Sequence, residues 1–251
     1  MIQSIGWHNY HWKDIEAITV SARDRGLKFG DGIFETILIR RREPILLEDH
    51  ITRLSSSANI LDIKFNLKKE FIENIIKTGI SKLSIKNNQY GSIRINYSRG
   101  LSNSRSIKVL NNEFDIKNFW LEFYLIEKNN SALKVLISEK EKRNENSTLC
   151  QCKSFSYNQS IIGIIEAQKK GFDDCLMLNT KNELCSGSTF NLFLKRNNRW
   201  ITPRAESGCL KGIMRQKAIN LKMVEEEQIN PQFKKNDILI AINSLFCKQI
   251  K

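Results

Sequence analysis

Lys153 stands where an apolar strand gives way to a long amphipathic run, in Cys150-Gln-Cys-Lys-Ser-Phe-Ser-Tyr-Asn158. A lysine that ends a strand, instead of decorating a surface, is a candidate imine-forming amine. The chain has three histidines, His8, His11 and His50, and two of them fall in the first dozen residues. Its chemistry is therefore expected to rest on an amine and not on an imidazole. Arg53 follows His50 by three residues, which puts both on neighbouring positions of one helical face. An arginine fork there suits a phosphate dianion. Gly208-Cys-Leu-Lys-Gly-Ile-Met-Arg215 joins a glycine, which admits close backbone approach, to the start of a helix with its unpaired N–H groups. Ser186-Gly-Ser-Thr-Phe-Asn191 brings small polar residues into a strand. Taken singly, each has a plain structural reading: a solvated side chain, a helix that begins after glycine, a tight turn. Taken together, they supply what a phosphorylated aldehyde needs, namely an amine, a cation and backbone donors.

These residues must be positioned by elements that the hydrophobic pattern locates. Ile33 to Ile39 is a β-rich run, and Arg41-Arg-Glu-Pro44 makes the connection after it. Leu47, Ile51, Leu54, Ala58 and Leu61 recur at three- and four-residue spacing and predict a helix that carries His50 and Arg53. A second helix is expected from Lys68 to Lys82, and strands from Tyr90 to Tyr97 and from Asn118 to Ile126. The polar stretch 127–131 reads as a linker between a domain at 1–126 and a larger one at 132–251 that carries Lys153. Beyond it the pattern predicts a strand from Leu133 to Ile137, a charged loop from Ser138 to Thr148, and a helix from about Tyr157 to Lys170 closed by Gly171. Strands follow at Cys175–Asn179, Phe190–Arg196 and Arg199–Thr202, then a helix near Gly212 and a last buried strand at Asp237–Asn243. The fold class is α+β in two lobes, with strands adjacent more often than helix-separated.

Composition narrows the function classes. With 251 residues, 41% of them hydrophobic and 27% charged, the chain has the make-up of a soluble globular protein large enough for two cores. It has no apolar run of about 18 residues, which argues against a membrane span, and no basic-then-apolar start, so the cytoplasm is expected. The net charge of +13 is spread along the whole chain, which argues against nucleic acid and suits a small anionic substrate. The six cysteines are scattered with no C-x-x-C pair, and no metal site is expected.

The order and wording of the segments carry more than any one of them. Arg25-Gly-Leu-Lys-Phe-Gly-Asp-Gly-Ile-Phe-Glu-Thr36 and Glu48-Asp-His-Ile-Thr-Arg-Leu54 resemble the N-terminal signature of the class IV (fold type IV) pyridoxal-phosphate enzymes. The resemblance continues through Ile93-Arg-Ile-Asn-Tyr-Ser-Arg-Gly100, Lys153 with Asn158, Asn191-Leu-Phe193, Ile201-Thr-Pro203 and Gly208 to Gln216. It spans about Trp7 to Asn243. It implies a two-domain architecture like that of D-amino-acid aminotransferase, with pyridoxal 5'-phosphate between the lobes and a homodimer as the assembly. The family includes branched-chain and D-amino-acid aminotransferases and 4-amino-4-deoxychorismate lyase. Thr202-Pro-Arg204, Gly-Ile-Met-Arg-Gln216 and Ile242-Asn-Ser-Leu245 are more similar to the lyase.

The resemblance implies that Lys153 carries the cofactor through an imine and is the catalytic residue. Arg53, the N–H groups of Ile213 and Met214, and Ser244 would hold the phosphate. Asn158 falls where the aminotransferases place a tyrosine near the cofactor hydroxyl. Arg94 and Arg99 would take substrate carboxylates. They face opposite sides of a regular strand, so one of them is expected to reach in, with Arg94 preferred. Phe34 and Thr36 complete the substrate set.

Two departures stand out. The family places a glutamate five residues before the asparagine of its Asn-hydrophobic-Phe motif, paired with the pyridine nitrogen, and here that position is Ser186. Glu183 is three residues earlier, an odd offset that points it to the other face. A hydroxyl there weakens the cofactor as an electron sink. Transamination needs that sink. Conversion of 4-amino-4-deoxychorismate to 4-aminobenzoate and pyruvate needs it less, because an aromatic ring forms. The second departure is the end at Lys251, where relatives usually continue with a strand and a helix. The expected function is the lyase, with a class IV aminotransferase or a catalytically degenerate relative as the alternatives.

Overall fold

In the run Ile33–Ile39, successive side chains must point to opposite faces of a strand. The computed structural model describes residues 4–102, 105–109 and 118–251. It forms two compact units, the chain up to Lys128 together with Cys152–Ser156, and Asn129–Gln151 together with Tyr157–Lys251.

The first unit runs β1 (Ser4–His8), β2 (His11–Lys13), α1 (Arg25–Phe29), β3 (Gly32–Arg40), β4 (Glu43–Pro44), α2 (Leu47–Ile60), α3 (Lys69–Lys82), β5 (Tyr90–Ser98) and β6 (Asn118–Ile126). Its sheet has the order β2-β1-β6-β5-β3-β4 and is antiparallel throughout. The register places Ile33, Tyr97 and Phe119 in one row and Ile37, Ile93 and Phe123 in another. These rows form the core face, on which Leu54 and Ala58 of α2 and Ile72, Ile76 and Ile80 of α3 are buried. The three-and-four spacing in both helices is thus used as expected. β1, β2 and α1, in a stretch with little periodicity, were not anticipated.

The cofactor lysine was expected in the C-terminal domain, yet its strip belongs to the first unit. β4 covers β3 only at Ile39 and Arg40, which leaves the other end of that edge open to pairing. The strip takes this place: Phe34 N donates to Lys153 O at 3.0 Å and Phe155 N to Gly32 O at 2.9 Å. Lys153 N also donates to Ser57 Oγ on α2 at 3.2 Å. An unpaired strand edge offers ready-made backbone partners, so strand pairing outranks sequence proximity here.

The second unit contains β7 (Val135–Arg143), α4 (Asn158–Lys169), β8 (Asp174–Asn179), β9 (Leu184–Gly187), β10 (Asn191–Arg196), β11 (Arg199–Pro203), α5 (Ile213–Asn220), β12 (Glu225–Glu227), β13 (Ile238–Ile242) and β14 (Cys247–Ile250). They make a sheet β7-β8-β9, with β7 parallel to β8, and a second sheet β12-β11-β10-β13-β14. Two expectations are corrected. Ser138–Arg143 is not loop: β7 continues through a bulge to pair Lys142 with Leu178 and Arg143 with Asn179. Buried Glu166 of α4 stabilises that bulge by accepting from Ser138 Oγ and from the N–H groups of Glu139 and Lys140. The strand at Ile238–Ile242 is also not the last, since β14 pairs with it.

Gly32 shows how closely the lysine strip is packed. A Cβ there would lie 2.3 Å from the Phe155 ring and 3.0 Å from Tyr97 O. Gly32→Ala is therefore expected to cost about 1–3 kcal/mol by overpacking. Urea unfolding measures it, and an unchanged midpoint would count against this packing.

Candidate active site

Lys153 is half-buried, with Nζ 4.1 Å from the centroid of the Phe34 ring. The guanidinium carbon of Arg94 lies 3.9 Å from the same centroid. Such placement is favourable for a cation over a ring face. Phe34 is itself buried, and Phe155 of the lysine strip stacks at 6.3 Å from it. Burial pulls the Lys153 amine from the usual 10.5 down to about 8. Glu35 opposes the shift, while Arg53 and Arg94 add to it. An ammonium in this setting loses hydration and meets like charge, so the neutral, nucleophilic amine is more accessible than in an ordinary lysine.

Glu35, which sequence reasoning passed over, organises the core-facing side. It is fully buried, and Arg53 grips both its oxygens, with Nε donating to Oε1 at 2.7 Å and Nη2 to Oε2 at 2.8 Å. His50 Nδ1 lies 2.7 Å from Oε2. Burial alone would raise the Glu35 carboxyl, but Arg53 and His50 outweigh it and hold the group at about 2. The expected neighbourhood of His50 and Arg53 is thus real, and the carboxylate between them sets the direction of the guanidinium. A signal was present: Glu35 is the single charged residue in Ile33–Ile39.

The opposite face of the sheet carries two polar rows. Phe34, Asn96 and Trp120 are in register, as are Thr36, Arg94 and Glu122. Arg94 Nε donates to Asn96 Oδ1 at 2.8 Å, and Asn96 Nδ2 donates to Glu122 Oε1 at 3.0 Å. Trp120 Nε1 and the Tyr124 hydroxyl also donate to Glu122, at 2.9 and 2.8 Å. Thr36 is half-buried in the row of Arg94. Arg99 was the other candidate for a substrate carboxylate. Its Nε donates to Asp31, and its Nη1 and Nη2 donate to the carbonyls of Asp62 and Leu61. With all three nitrogens engaged, Arg99 is a structural clamp, and Arg94 is the arginine that accompanies Lys153.

The second unit holds the remaining candidates. Ser186 is buried on β9, and its hydroxyl donates to Gly187 O at 3.0 Å. Glu183 is taken up by Asn179 Nδ2 and Ser207 Oγ, with Arg204 at 3.7 Å. Gly212 caps α5, and Ile213 and Met214 open it. The first turn of a helix leaves its N–H groups without helical partners, which suits an anion. A Cβ on Gly212 would lie 2.0 Å from Asn191 Oδ1, so the Asn-hydrophobic-Phe motif packs directly on the loop that presents this helix. Ser244 sits in the β13–β14 turn, which Asn243 closes by accepting from Leu245 N and Phe246 N. Asn158 is the exposed first residue of α4. Among the described residues no group of three or more His, Cys, Asp or Glu is placed to hold a metal ion.

A profile described as Amino-transferase class IV matches residues 32–250. The chain belongs to the class IV aminotransferase family. A Methanocaldococcus jannaschii protein provisionally named branched-chain-amino-acid aminotransferase is 29% identical over 224 residues, 88% of this chain and 75% of its own length. A Legionella pneumophila structure provisionally named 4-amino-4-deoxychorismate lyase has a TM-score of 0.83 and 26% identity over 94% of this chain and 88% of that one. An aminotransferase from Brucella abortus, solved with pyridoxal phosphate, has a TM-score of 0.88 over 99% of this chain and 90% of that one; at 18% identity the likeness is one of fold. The chain is thus an enzyme of a family whose cofactor is pyridoxal phosphate, with the α+β architecture of fold type IV. Among its described residues no helix is long and apolar enough to cross a membrane.

Two measurements test this geometry in the cofactor-free protein. Acylation of Lys153, followed by peptide mass spectrometry, is expected to rise with pH around a midpoint of about 8. A midpoint near 10.5 would mean a solvated amine. Glu35 titrates near 2 when folded against about 4.5 when unfolded, so its stabilisation is complete above 4.5 and fades as pH falls toward 2. A shift of that size corresponds to about 3 kcal/mol. Glu35→Gln should lower stability at neutral pH by that order and flatten the pH profile below 4.5.

Proposed function

We propose that this class IV enzyme converts 4-amino-4-deoxychorismate to 4-aminobenzoate and pyruvate, with Lys153 as its catalytic residue. The chemistry of the groups in each unit suits pyridoxal phosphate: in the first, a desolvated amine for the aldehyde and an arginine for the phosphate, and in the second, helix-opening N–H groups that suit an anion. Lys153 would hold the aldehyde. Arg53, Ile213, Met214 and Ser244 are assigned to the phosphate, with Asn158 near the ring hydroxyl. Bound there, the cofactor supplies a carbonyl that joins the substrate amine and draws electrons from the carbon bearing it.

The chain's own residues account for the rest. Nζ of Lys153, with its proton affinity lowered by burial, takes the proton from the ring carbon that bears nitrogen. It then returns a proton to the departing enolpyruvate, and the ring left behind is aromatic. Arg94 binds a substrate carboxylate beside Lys153, Phe34 presents a ring face to the cyclic substrate, and Thr36 supplies a hydroxyl in the row of Arg94.

The observation that carries the lyase reading is Ser186. Its hydroxyl donates to a backbone carbonyl and brings no negative charge, whereas transamination relies on a carboxylate at the matching position. The likeness to the Legionella protein supports the same choice. A second reading, an aminotransferase for branched-chain or D-amino acids, has its support in the name of the Methanocaldococcus relative. Homodimeric assembly and a cytoplasmic setting belong with either reading.

The test is to supply the purified, cofactor-loaded protein with enzymatically generated 4-amino-4-deoxychorismate. We expect 4-aminobenzoate and pyruvate in equal amounts, and loss of both products and of the visible absorbance of the lysine-bound cofactor in Lys153→Ala. Robust transamination of branched-chain amino acids or D-alanine, without 4-aminobenzoate, would give the second reading precedence.

A further inference from the structure

Arg94 and Glu122 are the single charged residues of β5 and β6, and they stand directly opposite one another. Cross-strand partners of opposite charge commonly pair directly. A third residue links them here: Arg94 Nε donates to Asn96, and Asn96 donates to Glu122. Asn96 is 1% exposed. Its amide is oriented by this arrangement, because Nδ2 must face the carboxylate and Oδ1 the guanidinium. Glu122 is fixed in turn by Trp120 on one oxygen and Tyr124 on the other. Burial and the Glu122 carboxylate push the Tyr124 hydroxyl up to about 12, which keeps it a donor. All donation therefore converges on Glu122: the indole and the phenol donate to it, and so does the Asn96 amide, which accepts in turn from the guanidinium.

An arginine side chain has several rotatable bonds, and holding it in one geometry costs entropy. Anchoring at Nε fixes the plane of the guanidinium and with it the direction of its terminal nitrogens. The result is a guanidinium laid over the Phe34 ring, the ring that also faces Lys153 Nζ. We propose that Asn96 and Glu122 are positioning residues that aim Arg94 at the carboxylate of the substrate held at Lys153. This rests on the reading above that Arg94 binds that carboxylate.

The test uses 4-aminobenzoate as the probe, with affinity measured by calorimetry on the full chain, beside steady-state kinetics of the cofactor-loaded enzyme. Glu122→Leu is expected to weaken the probe about tenfold. In the loaded enzyme it should raise KM with kcat little changed, leaving the absorbance of the lysine-bound cofactor as in the native protein. Glu122→Gln can still accept from Asn96 and Trp120 at its oxygen and donate to the Tyr124 hydroxyl, so it should restore native affinity. Asn96→Ala, which leaves the Trp120 and Tyr124 bonds to Glu122 standing, should match Glu122→Leu and serves if that variant does not fold. In an Arg94→Ala background, Glu122→Leu and Asn96→Ala should each add no further loss, a coupling that a general structural role would not produce. Equal losses with and without Arg94, or native affinity in both Glu122→Leu and Asn96→Ala, would overturn the positioning role alone. Native affinity in Arg94→Ala itself would overturn the carboxylate reading, and the positioning role with it.

Discussion

Two backbone hydrogen bonds between the Cys152–Ser156 strip and the uncovered end of β3 determine where the amine of Lys153 lies. Without them, a lysine five residues beyond Thr148 would be an ordinary solvated side chain. With them, its backbone is held between β3 and Ser57 of α2, and its nitrogen rests on the Phe34 ring. The pairing also explains the Gly-Asp-Gly wording before β3. Gly30 closes α1 in the left-handed region at φ 67°, and Gly32 leaves room for Phe155. The strip and the turn that receives it are thus one packing unit although they lie more than 100 residues apart in the chain.

The alternation of a strand then separates two tasks. Phe34 and Glu35 are adjacent, so one faces Lys153 and Arg94 while the other faces α2. A slip of β3 by one residue would turn Ile33 and Ile37 away from the core and bring Phe34 and Thr36 into it, undoing the placement of Phe34 beside Lys153 and Arg94. That exchange would be heavily penalised, because the core rows are apolar apart from Glu35, and Glu35 has its arginine and histidine partners there. The hydrophobic core therefore enforces the placement of Phe34 beside Lys153 and Arg94, and no separate device is needed to hold the strand in register.

Periodicity made much of this legible in the sequence. α2, α3, α4 and most long strands lie within a residue or two of their expected bounds, because each has one apolar face to bury. What was not legible has physical reasons. β14, Cys247–Ile250, is four residues long with a single buried position, too short for a periodic signal. β7 hides behind a bulge whose stabilising carboxylate, Glu166, is some 25 residues away in the chain. The domain membership of Lys153 depends on a strand edge, which a linear pattern cannot display. Around Phe34, the sequence singled out Lys153, Arg53 and Arg94 by residue type, but not their neighbours Glu35, Asn96 and Glu122. Glu35 meets side chains of α2, and Glu122 meets Asn96 across the β5–β6 pairing. The signal of the two glutamates, one lone charge in an apolar run, has meaning once the register is known, and uncharged Asn96 gives none.

The same register bears on how steady the amine's proton affinity is. Glu35 and Glu122 lie on opposite faces of one sheet. The first holds Arg53 directly, and the second holds Arg94 through Asn96. The two cations that depress Lys153, and the carboxylate that opposes them, are thus fixed in place by hydrogen bonds instead of moving in solvent. Burial, the largest cause of the shift, does not depend on ionic strength, and charges withdrawn from water are screened much less than surface ones. The net charge of +13 adds a diffuse potential that salt can remove. It should influence how fast any small anion arrives more than how readily Lys153 gives up its proton. The approach of an anion and the proton affinity of Lys153 therefore have different origins, the first in the charge of the whole surface and the second in burial, adjusted by three side chains held at one sheet.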